Sequence, residues 1–264
     1  MLAAKERKPA HGENQMRASS IEFRLRMWIQ VVIVLIGFWA PWLNWLAALD
    51  FASRISTLEW LALEMSRAGL VRFSYATPIV IVMGALAAGI GAVLRIWGAA
   101  YLGYETVHHG EMQAGGVMAA GPYRFVRNPL YLGAWFMMAA MSLLMPPTGA
   151  LFVMVLITIF YARLILGEEA FLSAKLGEPY REYLRAVPRI IPRLRANLPP
   201  APTRPQWPVA FLTELNPLGV FFTLAVLSWR YDNLLMVKAI FVSFGLSLIA
   251  RALAPREREE AKAA

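Results

Sequence analysis

Apolar and polar positions follow one another along this chain in long blocks, which predicts membrane spans separated by polar connections. The first apolar block runs from about Met27 to Leu49, roughly the 20 residues a bilayer core needs, and Trp39, Trp42 and Trp45 mark its far end as an aromatic belt. Residues 50–75 mix charges with Leu58, Trp60, Leu61, Leu63 and Met65, a pattern for an interfacial helix. A second span is expected over about Thr77 to Tyr101, where Gly84, Ala88, Gly91 and Ala92 recur at helical spacing and let a neighbouring helix come close. The third and fourth, about Leu130 to Met145 and Thr148 to Leu166, are joined by only Pro146-Pro147 and form a tight helical hairpin. Two more blocks follow, about Pro217 to Trp229 (or from Val209) and Leu234 to Arg251; Glu214 and Asn216-Pro217 interrupt the first of them. The expected fold is all-α: a polytopic membrane helix bundle of about six spans.

Composition agrees. Of 264 residues, 58% are hydrophobic and 16% charged, against about 25% charged in soluble domains. The net charge is +9, but the basic residues lie between apolar blocks, so they suit anionic lipid headgroups and membrane topology rather than nucleic acid. Cysteine is absent, which removes disulfides, thiolate metal sites and a Cys nucleophile. The polar first 26 residues are too long for a simple leader, and no small-residue cleavage site follows, so a retained anchor helix is expected. With the N-terminus inside, all but five of the 26 Lys/Arg fall on the cytoplasmic side; the five are Arg54, Arg67, Arg72, Arg230 and Lys238. That bias predicts both termini in the cytoplasm. It also puts the two polar connections, 102–129 and 167–207, on that same face.

Those connections hold nearly all the candidate chemistry. The first ends in Gly121-Pro122-Tyr123-Arg124-Phe125-Val126-Arg127-Asn128-Pro129-Leu130-Tyr131-Leu132-Gly133. Gly-Pro reads as a turn, and Asn128-Pro129 as a helix start with Asn as N-cap and Pro at the first helical position. Free N–H groups there, beside Arg124 and Arg127, suit a carboxylate or phosphate. A membrane-interface anchor is the plain alternative for such Arg and Tyr residues. The second connection opens with Glu168-Glu169 at the inner end of the fourth span and continues through Gly177-Glu178-Pro179-Tyr180-Arg181-Glu182-Tyr183.

The tight hairpin makes Asn128–Tyr131 and Glu168–Glu169 neighbours in space. A carboxylate pair beside a cationic helix start suits a zwitterion: the acids take an ammonium or ribose hydroxyls, the helix start a carboxylate. Other pieces read more plainly. His108-His109 has no third ligand at helical spacing, so no metal site is expected. Arg181, Arg185, Arg189, Arg193 and Arg195 suit a lipid-headgroup face. Met137, Met138 and Met141 suit packing. Arg95, within the second span, either snorkels to the interface or meets a buried anion.

GPYRFVRNPLYLG, a two-span hairpin and then GEEAFLSAKLGEPYREYLRAVPRIIP resemble the isoprenylcysteine carboxyl methyltransferase and phospholipid methyltransferase family of integral-membrane enzymes. Leu94-Arg95 with Leu102-Gly103 is similar to the family's preceding span. The resemblance covers about residues 80–192 and divides the chain into a basic tail (1–26), an N-terminal span with interfacial helix (27–79), a methyltransferase core (80–195), a helical hairpin (196–254) and a charged tail (255–264).

The resemblance implies S-adenosyl-L-methionine as cofactor, in a cytoplasmic-side pocket between the two connections. Tyr123 matches a cofactor tyrosine; Asn128, Pro129, Leu130 and Tyr131 match the family's R-H-P-x-Y cofactor segment, with Asn128 in place of His. Glu168 matches the cofactor acid of its E-E pair. Aligned without gaps, Gly115, Gly116, Val117 and Met118 fall on the segment lining the adenosyl pocket, and His108 falls where a polar side chain touches the cofactor. The family's substrate arginine position is Leu164 here. Arg163, one residue away and so turned by about 100°, is the candidate substrate contact, and Glu169 the candidate base.

The implied function is methyl transfer to a carboxylate or amine of a lipidic acceptor, with the active site facing the cytoplasm. The runner-up is an NADPH-dependent membrane lipid reductase of the sterol-reductase type, similar in fold and in the Tyr-Arg…Arg-x-Pro-x-Tyr segment; the acid pair and Gly-Glu-Pro-Tyr-Arg-Glu-Tyr argue against it. A non-catalytic adaptor or transporter would not need these polar residues to converge.

Overall fold

The computed structural model describes residues 17–39, 55–102, 119–196, 198–199 and 203–253, and these are helical with no strand among them. In chain order the helices are α1 (Ser20–Arg24), α2 (Arg26–Trp39), α3 (Thr57–Arg67), α4 (Phe73–Leu102), α5 (Pro129–Ser142), α6 (Pro147–Leu176), α7 (Glu178–Ala186), α8 (Trp207–Thr213), α9 (Leu215–Val226) and α10 (Asn233–Leu253). Short 3₁₀ turns occupy Gly121–Arg124 and Leu227–Arg230.

Three helices are long and apolar enough to cross a membrane: α4, α6 and the stretch Asn233–Ala250 of α10. A fourth crossing is made if Trp207–Thr213 and Leu215–Arg230, bent by 68° at Glu214, count as one broken span. Among the described residues, three or four of the expected six or so spans are found. Helix α5 has 14 residues, about 21 Å, short of a hydrocarbon core of about 30 Å; α2 is described for 14 residues, as far as Trp39. Trp42 and Trp45 lie outside the described residues.

In lipid there is little hydrophobic drive between helices, so close packing must hold the bundle. Helices α4 and α5 meet where Gly91 faces Gly133: a Cβ on either would lie 2.8 Å from the other's carbonyl oxygen. Met137, Met138 and Met141 of α5 are buried against Val153, Ile157 and Leu164 of α6, which makes them packing residues as expected. At the far end of this hairpin, the first amides of α3 donate to the carbonyls of Met145 (Thr57, 2.7 Å) and Leu143 (Leu58, 2.8 Å). A capping box of Ser56 and Glu59 starts α3. A helix thus lies within the stretch 50–75, and it closes the hairpin turn.

Helix α6 runs ten residues beyond the expected end of the fourth span. Glu-Glu-Ala-Phe-Leu-Ser-Ala-Lys-Leu contains no helix breaker, and Gly177, at φ +68°, stops it. Glu168 and Glu169 therefore stand on a rigid helix rather than in a loop. Arg95 does not snorkel: Nε and Nη2 donate to the two carboxylate oxygens of Glu214 at 2.6 and 2.9 Å.

Candidate functional site at the inner end of the hairpin

The two polar connections fold together. Gly121, at φ +50°, opens a 3₁₀ turn that a side chain could not enter, because a Cβ there would drive into the Tyr101 ring. The turn buries Tyr123. Its hydroxyl lies 3.5 Å from the Gly98 carbonyl, and its own carbonyl accepts the Tyr183 hydroxyl of α7 at 2.9 Å. Burial pushes both phenols above their ordinary pKa, so they act as neutral hydrogen-bonding groups. The Arg124 guanidinium donates twice to the Leu198 carbonyl, at 2.9 and 2.8 Å. Backbone bonds from Arg127 to Pro188 and from Arg193 to Phe125 complete the seam.

Asn128 and Pro129 start α5 as expected, but Asn128 makes no side-chain cap. Its amide donates instead to the Arg189 carbonyl at 3.1 Å and to Glu169 Oε1 at 3.4 Å. The carboxamide is thereby oriented by acceptors across the seam rather than by the first turn of α5. Glu169 is 8% exposed and held from both sides, by Arg127 at 3.0 Å and Arg189 at 2.8 Å. Glu169, the expected base, thus joins the first connection to the second.

Glu168, one residue earlier, faces a different way. It is half-buried and lies beside the Tyr131 side chain. The Tyr131 ring packs on Tyr161 at 5.7 Å between centroids. Arg26, the first residue of α2, is close enough for its charge to bear on both Glu168 and Tyr131. Nothing in the sequence of the basic tail connects Arg26 to this site. Arg163 goes elsewhere. It clasps Glu22 of α1 at 3.0 Å and donates to the Arg17 carbonyl, so it secures the N-terminal segment rather than offering itself to a substrate. Leu164, at the position of the family's arginine, is fully buried in the core. His108, Gly115, Gly116, Val117 and Met118 lie outside the described residues.

Beside the seam an apolar groove of about 930 Å³ runs along α4, α5 and α9, lined by Leu94, Trp97, Leu132, Phe136, Ile191 and Phe221 among others. Leu132 stands next to Tyr131, and Ile191 two residues from Arg189, so one end of the groove lies near the polar cluster. The other end reaches Trp229, beyond α9.

Residues 79–178 match the family model described as phospholipid methyltransferase. The matched segment runs from α4 to the first residue of α7 and contains Asn128, Tyr131, Glu168 and Glu169.

That segment resembles the phospholipid methyltransferase family.

The match covers less than half of the chain; α1–α3 and α8–α10 lie outside it. Searches among curated proteins and among solved structures give no match. A match to a family of integral-membrane methyltransferases fits a protein with several helices able to cross a bilayer. In the matched segment, Arg127, Asn128 and Tyr131 come from one side of the hairpin and Glu168 and Glu169 from the other. Arg189, on the last stretch of the seam, lies beyond the match.

Proposed function

We propose that the protein is an S-adenosyl-L-methionine-dependent methyltransferase, acting on a carboxylate or amine of a lipidic acceptor at the cytoplasmic face of a membrane. The observation that carries this reading is the meeting of Tyr131 and Glu168 at the inner end of a hairpin, inside the family-matched segment. The distribution of Lys and Arg supports the cytoplasmic face.

The residues fit such a cofactor. Glu168 is a half-buried acid beside the Tyr131 phenol, with acceptor capacity for an ammonium or ribose hydroxyls. Arg127 Nε is buried without a partner among the described residues, a donor available to a carboxylate. Asn128, Pro129, Leu130 and Tyr131 would line the pocket with them; His108, Gly115, Gly116, Val117 and Met118 are proposed for the rest of it. When bound, the cofactor supplies an electrophilic methyl group on a sulfonium.

The protein's share of the work is placement. Glu169, pinned by Arg127 and Arg189, fixes the Asn128 turn; Tyr131 flanks Glu168. Holding reactants in line removes the entropic part of the barrier. A carboxylate acceptor needs no base, and opposite charges cancel as it approaches the sulfonium, so a dry site favours it. An amine acceptor would give its proton to Glu169 or to solvent. The groove beside Leu132 and Ile191 supports an acceptor with an apolar chain. The exposed Arg181, Arg185, Arg193 and Arg195 support anionic lipids as partners.

The test is transfer of labelled methyl from S-adenosyl-L-methionine into a host membrane extract, with Glu168→Ala as control. Label in a lipid fraction, lost in the variant, is the expected result. Undiminished transfer by Glu168→Ala would remove the site assignment, and hydride transfer from NADPH without methyl label would remove the function.

A further inference from the structure

Arg95 and Glu214 form the most deeply buried ion pair among the described residues, and nothing in the chemistry above uses it. Glu214 is 0% exposed, and both of its oxygens are taken by one guanidinium. It sits at the 68° break between α8 and α9, outside the family-matched segment. Arg95 lies inside that segment on α4, with its stem against Gly133: a Cβ there would be 2.8 Å from Arg95 Cγ. The remaining nitrogen, Nη1, reaches the Leu130 carbonyl at 3.4 Å. Leu130 precedes Tyr131, and its side chain packs on Gly98, whose carbonyl faces the Tyr123 hydroxyl. One fork therefore ties the broken helix of the C-terminal hairpin to the first turn of α5, the turn that presents Tyr131 to Glu168.

A buried pair of this kind is weak support for stability as such, because removing two charges from water costs about as much as their attraction returns. Its fixed bidentate geometry is better suited to setting a position. We infer that Glu214 is a positioning residue for the cofactor end of α5, acting through Arg95, so that the C-terminal hairpin belongs to the working site. The inference rests on the methyltransferase reading.

It is tested on the full-length protein in lipid nanodiscs, with labelled S-adenosyl-L-homocysteine as probe and thermal unfolding measured in parallel. Glu214→Gln leaves Arg95 buried and uncompensated, and both stability and binding fall. The paired variant R95M/E214L removes both charges and keeps an apolar contact. Its unfolding midpoint returns towards the parent value, while affinity for the probe stays about tenfold or more below it, because the fork no longer sets the turn. Amide exchange at residues 130–134 speeds up in the same variant, with residues 140–145 unaffected. Parent-like probe affinity in R95M/E214L would show a purely structural pair and overturn the inference. Should that variant fail to fold, Glu214→Asp keeps the charge and shortens the reach: reduced affinity at unchanged stability supports positioning, and unchanged affinity overturns it. If the parent protein itself does not bind the probe, the methyltransferase reading fails first, an outcome distinct from parent binding that the variants leave intact.

Discussion

The Tyr131 and Glu168 side chains meet across the two arms of a helical hairpin. Tyr131 lies in the first turn of α5 and Glu168 two turns short of the end of α6, so neither has local freedom to find the other; the hairpin brings them together. Glu168→Gln keeps shape and loses charge. It is expected to weaken S-adenosyl-L-homocysteine binding about 10- to 100-fold, the range for a hydrogen bond to a charged group. Tyr131→Phe leaves the acid in place and costs about threefold. Equilibrium dialysis with labelled ligand measures both, and equal effects would mean that the phenol, not the acid, meets the ligand.

Glu169 predicts the opposite balance. It is wedged between Arg127 and Arg189. Glu169→Gln strands Arg127, whose side chain is 12% exposed, while Arg189 can turn to water. Breaking one arm of a buried pair costs about 3–5 kcal/mol. The variant should unfold at clearly lower denaturant or temperature, yet bind ligand well below its melting point. A Glu169→Gln protein of full stability and no transferase activity would assign the base role to this residue.

The block pattern made the bundle and its hairpin legible in the sequence, because a chain crossing lipid must bury its backbone bonds in helices. The pairing of Asn128–Tyr131 with Glu168–Glu169 was legible for the same reason: Pro146-Pro147 leaves no room for another topology. Three things were not. Asn128 has the sequence of a cap, but a cap is a local bond, and the groups that orient its carboxamide come from residues 169 and 189. Arg163 and Glu22 are far apart in the chain, and nothing in either neighbourhood announces their pairing. Glu214 looked like an interruption in an apolar block; only the fold shows that its partner is Arg95.

The Gly91–Gly133 contact gives a packing prediction. A methyl on Gly133 would meet Arg95 Cγ, the Gly91 carbonyl and the Arg95 backbone nitrogen at 2.8, 2.8 and 3.1 Å. Two of these are main-chain atoms of a long helix, so relief requires α4 and α5 to separate. Gly133→Ala is expected to cost about 1–3 kcal/mol, read as a lower unfolding midpoint in nanodiscs. Gly245→Ala, where a Cβ meets nothing within 4 Å, should leave that midpoint unchanged. Equal behaviour of the two would deny the close approach.

The N-terminal segment carries the pH prediction. Glu22 is held by the Arg163 guanidinium and by the Ser19 backbone amide, and these bonds draw its pKa below the usual value of 4.5. A group whose folded pKa is depressed adds stability that is complete above its unfolded pKa and disappears as pH falls through the folded one. The clasp is therefore at full strength at neutral pH and opens only in acid, below about pH 4.5. Both side chains are about a third exposed, so it contributes about 1 kcal/mol or less, enough to govern local opening but not the fold. Amide exchange of residues 18–25, corrected for its intrinsic pH dependence, should stay slow from pH 8 to about 5 and rise towards pH 3. In Glu22→Gln the charge is absent at every pH, so exchange should be fast throughout and show no step. A step that persists in Glu22→Gln would assign the transition to another carboxylate, and its absence from the parent protein would mean that Ala18, bonded to the Arg163 carbonyl and packed on Gly167, holds the segment without the ion pair.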